Sequence, residues 1–288
     1  MRKLVFALLL AAAVPASAQF DLGRILNKAI DTGKKLQEAN RDFTTEEEID
    51  LGSGITASFL GATRLHPDAG LQRYVNRVGK WVAMHSERPE LPWSFGVIDT
   101  QTINAFAMPG GSVLVTHGLL RRLQSESELA AVLAHEIAHV VKKHQLSAIQ
   151  SSLNSDVLAG FGREAAGRAI ARRGDVAGLG TKAANVGVDA LKNGIFLRPL
   201  DRSMEYDADR MAVVLATRSG YDPYGLVAVL QMLSQSAGDD SGISVFETHP
   251  SPQDRLGELE SFVPAHMERY AGQPQNEARF RQVVGPAK

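Results

Sequence analysis

The segment His135-Glu136-Ile137-Ala138-His139 carries two imidazoles four residues apart, with a carboxylate next to the first. In an α-helix that spacing sets the rings about 40° apart around the axis and about 6 Å apart along it, so both can reach one metal ion. Glu136 is turned about 100° from His135, near enough to act on a water beside the metal without being a ligand. The chemistry this suggests is hydrolysis assisted by zinc, which at catalytic sites takes three protein ligands and leaves a position open. The sequence has eight His and no Cys. Disulfides, thiol nucleophiles, Cys-based zinc ribbons and Cys-ligated iron-sulfur clusters are thereby excluded, and a third ligand must be a His or a carboxylate. Glu205 and Asp209 share a helix face at i, i+4: the first is a candidate ligand, the second a candidate acceptor for the outer nitrogen of a ligand imidazole. The same pair also suits a solvated acidic helix start. His144, nine residues beyond His135, falls near the opposite face of a continuous helix and reads as solvated surface.

Several elements must position these groups. Ser125 with Glu128 forms a capping box that launches an apolar run, predicting one long helix from Glu126 to about His144. Thr44 with Glu47, and Thr45 with Glu48, fit the same box for an earlier helix. Helical spacing recurs at 21–40 (Leu22, Ile25, Leu26, Ala29, Ile30) and at 68–85, with Leu71, Val75, Val78 and Val82 inward. Residues 93–98 alternate as a strand, and 104–115 read as two extended pieces around the Pro109-Gly110-Gly111 turn. Helices are predicted over 203–218, stopped by Gly220 and Pro223, and over 224–235. The glycine-rich stretch 150–198 reads as loosely packed helices or a mobile flap. The fold class is α+β, mostly helical, with a small β-sheet beside the long helix.

At the N-terminus Arg2 and Lys3 precede eleven apolar residues, then Pro15 and Ala16-Ser17-Ala18. This pattern predicts a signal peptide, residues 1–18, cut after Ala18. The remainder, 19–288, shows no repeat or linker and is expected to be a single exported domain, soluble once the signal is removed. No later apolar run is long enough to span a bilayer. With 31 Lys and Arg against 32 Asp and Glu, no nucleic-acid-binding face is expected, and Arg163, Arg168, Arg172 and Arg173 read as a solvated helix face.

Four blocks resemble the gluzincin metallopeptidases of peptidase family M48, in family order over about 44–260: NAFAMPGG (104–111) with VTHGLL (115–120), HEIAHVVKKH (135–144), EYDADRMAV (205–213) and THPSPQDRL (248–256). The resemblance implies a zinc metallopeptidase domain holding one Zn2+ through His135, His139 and Glu205. Glu136 is then the general base and Asp209 the partner of a ligand imidazole. His249 and, after it, Arg255 become candidates to stabilise negative charge developing on the substrate, and His249 could instead be a fourth ligand at rest. Asn104, Ala105 and Phe106 match an edge strand that could bind substrate by strand addition. The implied function is a zinc-dependent metalloendopeptidase of the cell envelope, in a Gram-negative periplasm, acting on unfolded or misfolded polypeptides, outer-membrane proteins among them. The alternative is a zinc-bound, latent or chaperone-like module that holds envelope proteins with little proteolysis. The chain lacks the internal membrane helices of the prenyl-protein proteases in this family, which argues against that substrate class. It also has no room for a repeat domain after Leu256. The oligomeric state is not legible.

Overall fold

The computed structural model describes residues 42–153, 200–235, 249 and 251–286. The proposed signal peptide, the helix expected at 21–40, the arginine patch and nearly all of the 150–198 stretch lie outside the described residues. Helix α1 (Thr45–Ala62) starts with the expected box: Thr44 Oγ1 accepts from Glu47 N, while the Glu47 carboxylate accepts from Thr44 N. Asp68 caps α2 (Ala69–Ala83) by accepting from Gly70 N and Leu71 N, and Leu71, Val75, Val78 and Val82 all face inward.

Helix α2 lies on a three-stranded sheet of β1 (Ser94–Ile98), β2 (Ala105–Met108) and β3 (Ser112–Thr116) in the order β1-β3-β2. β1 runs parallel to β3, and β2 antiparallel to it through the Pro109-Gly110-Gly111 turn. Gly110 and Gly111 have φ of 79° and 104°, which a side chain would strain. The turn is pinned from outside: Glu48, fully buried, accepts from Gly110 N and holds Arg88 through two hydrogen bonds of 3.0 and 2.8 Å. α1 also passes so close that a Cβ at Gly52 would overlap the carbonyl of Pro109. Gly52→Ala is therefore expected to destabilise the fold by about 1–3 kcal/mol, the usual range for overpacking. A denaturant midpoint equal to that of the parent chain would refute this close approach.

The two sheet edges differ. Along β1, the Gln72 amide donates to Val97 O and accepts from Val97 N, and Asn76 Oδ1 accepts from Phe95 N. Side chains of α2 thus use up the backbone groups another strand would need. Among the described residues no strand pairs with the outer edge of β2.

Following α3 (His117–Leu120), the central helix α4 (Glu126–Val141) is buried at every position from Glu126 to Val140. That explains its weak amphipathic pattern, since a helix covered on all sides has no solvent stripe. It ends earlier than predicted. Val141 is the last apolar residue, and continuing would drag Lys142 and Lys143 into the same buried environment. Instead Lys142 caps the helix, Lys143 adopts a left-handed φ of 58°, and α5 (His144–Leu153) sets off from there. Helices α6 (Arg202–Arg218) and α7 (Gly225–Gln235) pack on α4, α8 (Pro252–Met267) packs on α6 and α7, and α9 (Glu277–Val284) reaches the N-terminal end of α4. There Glu126, 1% exposed, accepts hydrogen bonds from Tyr74 (2.7 Å), Tyr221 (2.9 Å) and Arg279. Among the described residues no helix is long and apolar enough to cross a membrane.

Candidate metal centre

Because α4 is buried all round, each polar side chain it carries must find a partner or forfeit several kcal/mol of hydration. Ser125 and Glu128 satisfy each other at its start. His135, Glu136 and His139, none more than 4% exposed, cluster two turns further on. The His135 and His139 Nε2 atoms are 3.0 Å apart. Glu205, in the first turn of α6, brings Oε2 to 3.5 Å from His135 Nε2 and Oε1 to 3.4 Å from His139 Nε2. His249 places its Nε2 3.9 Å from Glu205 Oε2. The donor atoms of these four residues all lie within 4.8 Å of one another.

Three turns of two different helices and one loop thus aim their ligand-type atoms at a common point, with separations spanning the ~3.3 Å expected between donors around a tetrahedral zinc. The Glu205 carboxylate supplies the test of fit. It is fully buried, yet neither oxygen accepts a hydrogen bond. A carboxylate in that condition is expensive unless a cation sits against it, and the nitrogen and oxygen donors gathered here suit zinc.

The outer nitrogens are held as well. Asp209, one turn beyond Glu205, places Oδ1 2.9 Å from His135 Nδ1. Arg255, from the first turn of α8, holds Asp209 with two hydrogen bonds, Nε to Oδ2 at 2.8 Å and Nη2 to Oδ1 at 2.5 Å. Its Nη1 lies 3.7 Å from Glu205 Oε2. The sequence reading missed the corresponding partner of His139. His144 is buried, not solvated surface, and its Nδ1 lies 2.9 Å from His139 Nδ1. The reversal at Lys143 folds it back onto the preceding turn. The pair Lys142-Lys143 was the available signal, because basic residues commonly close a helix.

Burial pushes the Glu136 carboxyl up to about 7, with the Glu205 charge adding to it and His135 opposing. Burial also pushes His249 down to about 4 and, with the neighbouring imidazoles, keeps His139 well below the usual histidine value. His135 goes the other way: burial and Arg255 press it down, but Asp209 and Glu205 outweigh them and raise it to about 9. Against burial, Arg255 holds Asp209 far below the usual carboxylate range.

The three residues expected to bind substrate lie at the start of β2. Asn104 and Ala105 are buried, and Phe106 is half-buried with its ring 5.0 Å from that of Phe59. Asn104 Oδ1 accepts from Ala105 N, while its Nδ2 has no partner.

The sequence profile of Peptidase family M48 matches residues 69–263, which takes in β1–β3, both histidines of α4, Glu205 and Arg255. The chain belongs to peptidase family M48. Among its M48 relatives is the Escherichia coli K12 beta-barrel assembly-enhancing protease, 28% identical over 249 residues that cover 84% of this chain and 50% of that protein. The Yersinia pestis protein of the same name is 30% identical over 76% of this chain and 44% of its own length. The mitochondrial metalloendopeptidase OMA1 of Schizosaccharomyces pombe is 31% identical over 66% of this chain and 52% of its own. The chain spans about half the length of these curated M48 relatives. M48 peptidases use zinc, and the donor set assembled here fits it. His144→Ala, which removes the partner behind the imidazole of His139, is expected to weaken zinc retention about 10–100-fold. Competition with a zinc-binding dye measures this, and unchanged affinity would leave His144 a packing residue only.

Proposed function

We propose that this chain is a zinc-dependent metalloendopeptidase of the cell envelope that hydrolyses unfolded or misfolded polypeptides. The observation that carries the reading is the buried Glu205 carboxylate, unbonded at both oxygens and set among three imidazoles, with Glu136 beside it raised to about 7. In this reading His135, His139 and Glu205 hold the metal. A zinc ion there would supply Lewis-acid chemistry, polarising the scissile carbonyl and lowering the pKa of water toward ~7. Glu136 takes the proton of the attacking water and hands it to the departing amine, a task for which a carboxyl near neutrality is matched. His249, neutral at physiological pH, donates an N–H to the oxygen on which negative charge develops. Arg255 is a positioning residue: its hydrogen bonds go to Asp209, and Asp209 fixes the ring of His135. Substrate adds to the outer edge of β2, since the edge of β1 is closed by Gln72 and Asn76. Such pairing reads backbone more than side chains and suits unfolded chains, including outer-membrane proteins, in keeping with relatives named for β-barrel assembly. Export through a signal peptide cleaved after Ala18, and a single catalytic domain over 19–288, complete the reading.

The deciding experiment incubates purified residues 19–288 with unfolded casein, then adds a chelator, then restores zinc. Cleavage that stops with the chelator and returns with zinc is expected. Cleavage that continues undiminished under the chelator would overturn the proposal. A second reading rests on His249, whose Nε2 is close enough to the cluster to serve as a fourth ligand and hold the enzyme latent. In that case His249→Ala raises peptidase activity, whereas loss of a group that stabilises developing charge lowers it about 10²-fold.

A further inference from the structure

We propose a second metal site, distinct from the catalytic one, formed by His66, Asp99 and His117 at the C-terminal ends of β1 and β3. One ligand-type atom from each residue lies within 4.8 Å of the other two. The His66 and His117 rings are in contact, with centroids 4.4 Å apart. The residues come from three separate stretches of chain, and backbone pairing fixes each of them. Ile98 is opposite Thr116 in the parallel ladder, so Asp99 and His117 occupy the next positions of adjacent strands. Leu65 bridges Ile98, flanked by hydrogen bonds from His66 N to Val97 O (2.9 Å) and from Asp99 N to Arg64 O (2.8 Å). Gly118 N donates to Thr100 O, and a Cβ on Gly118 would strike the backbone of Gln101 and Thr102. Backbone hydrogen bonds therefore hold the main chain under the cluster, and drawing the donors in to the ~3.3 Å of a tetrahedral ion is left to the side chains.

Two imidazoles and one carboxylate, with no thiolate, select a divalent ion of the zinc or copper type. Calcium and magnesium, which need six or more oxygen donors or their equivalent in water, are not served. His66 and His117 are half-buried and Asp99 is exposed, so water completes the coordination and the ion exchanges with solvent. The ion acts as a clip. It joins the connection between α1 and α2 to residues 99–104, the segment that leads directly into β2, and so stiffens the strand proposed above to receive substrate.

The test uses the whole chain carrying His135→Ala and His139→Ala, which empties the catalytic site, titrated with Zn2+ alone. One zinc per chain is expected, together with a rise of several degrees in the thermal midpoint. Adding His66→Gln and His117→Gln abolishes both effects, and Asp99→Asn, which keeps both imidazoles, weakens binding about tenfold. Zinc uptake equal in the four-substitution chain and its parent would overturn the proposal, as would no uptake in the parent. In the otherwise unaltered chain, His66→Gln with His117→Gln should leave chelator-sensitive casein cleavage in place. This separates failure of the clip from failure of the peptidase reading.

Discussion

Glu136→Gln is expected to leave zinc in place and lower the rate of peptide hydrolysis about 10³-fold or more. The substitution keeps the shape of the side chain but removes a base, and general base catalysis by a positioned carboxylate accounts for about 10²–10⁴-fold. None of the donor atoms of the candidate metal centre, on His135, His139, Glu205 or His249, is altered. Zinc content by elemental analysis should therefore match that of the parent, while kcat for an unfolded substrate collapses. His135→Ala, by contrast, loses zinc and activity together. A Glu136→Gln protein that still cleaves at a tenth of the parental rate would remove Glu136 from the mechanism.

Arg255→Ala is expected to be among the most destabilising single substitutions in the chain. The guanidinium is 4% exposed, makes two hydrogen bonds to Asp209 and stands 3.7 Å from Glu205. Deleting it strands a buried carboxylate, for which the usual penalty is about 3–5 kcal/mol. In a domain of this size that corresponds to a fall of roughly 10 °C in the thermal midpoint. The diagnostic is recovery. Arg255→Ala combined with Asp209→Asn removes the stranded charge and should regain a good part of the stability, though not of the activity, because His135 still lacks its anionic partner. If the double substitution is as unstable as the sum of the two singles, the pair is not coupled as its geometry requires.

Where a local signal states both an element and its limit, the sequence was enough. The capping residues Thr44 and Ser125 each stand where a helix begins, and the two glycines after Pro109 stand where the hairpin turns. The HExxH spacing pointed to a metal because i, i+4 is a property of the helix itself. What depends on the meeting of remote segments was not legible from residue types alone. Glu205 and Asp209 could equally have been a solvated acidic turn, and only packing of α6 against α4 distinguishes the two. His144 went astray for a different reason. Its expected position followed from continuing α4 past Val141, and one left-handed residue, Lys143, moved it from the far side of a helix to the back of His139. The His66, Asp99 and His117 cluster has no sequence signature, since it is made by strand register.

The ring of partners around Glu126 has a consequence for the order in which the protein can be assembled. Tyr74 precedes the carboxylate in the chain, Tyr221 follows it by 95 positions, and Arg279 by 153. A polypeptide that emerges amino end first, from a ribosome or through a translocation channel, therefore exposes the HExxH segment long before the cation that neutralises the start of its helix. Until residue 279 is out, burying that helix means burying an uncompensated negative charge. Vectorial synthesis thus postpones neutralisation of this helix start until residue 279 has emerged, well after the helix itself.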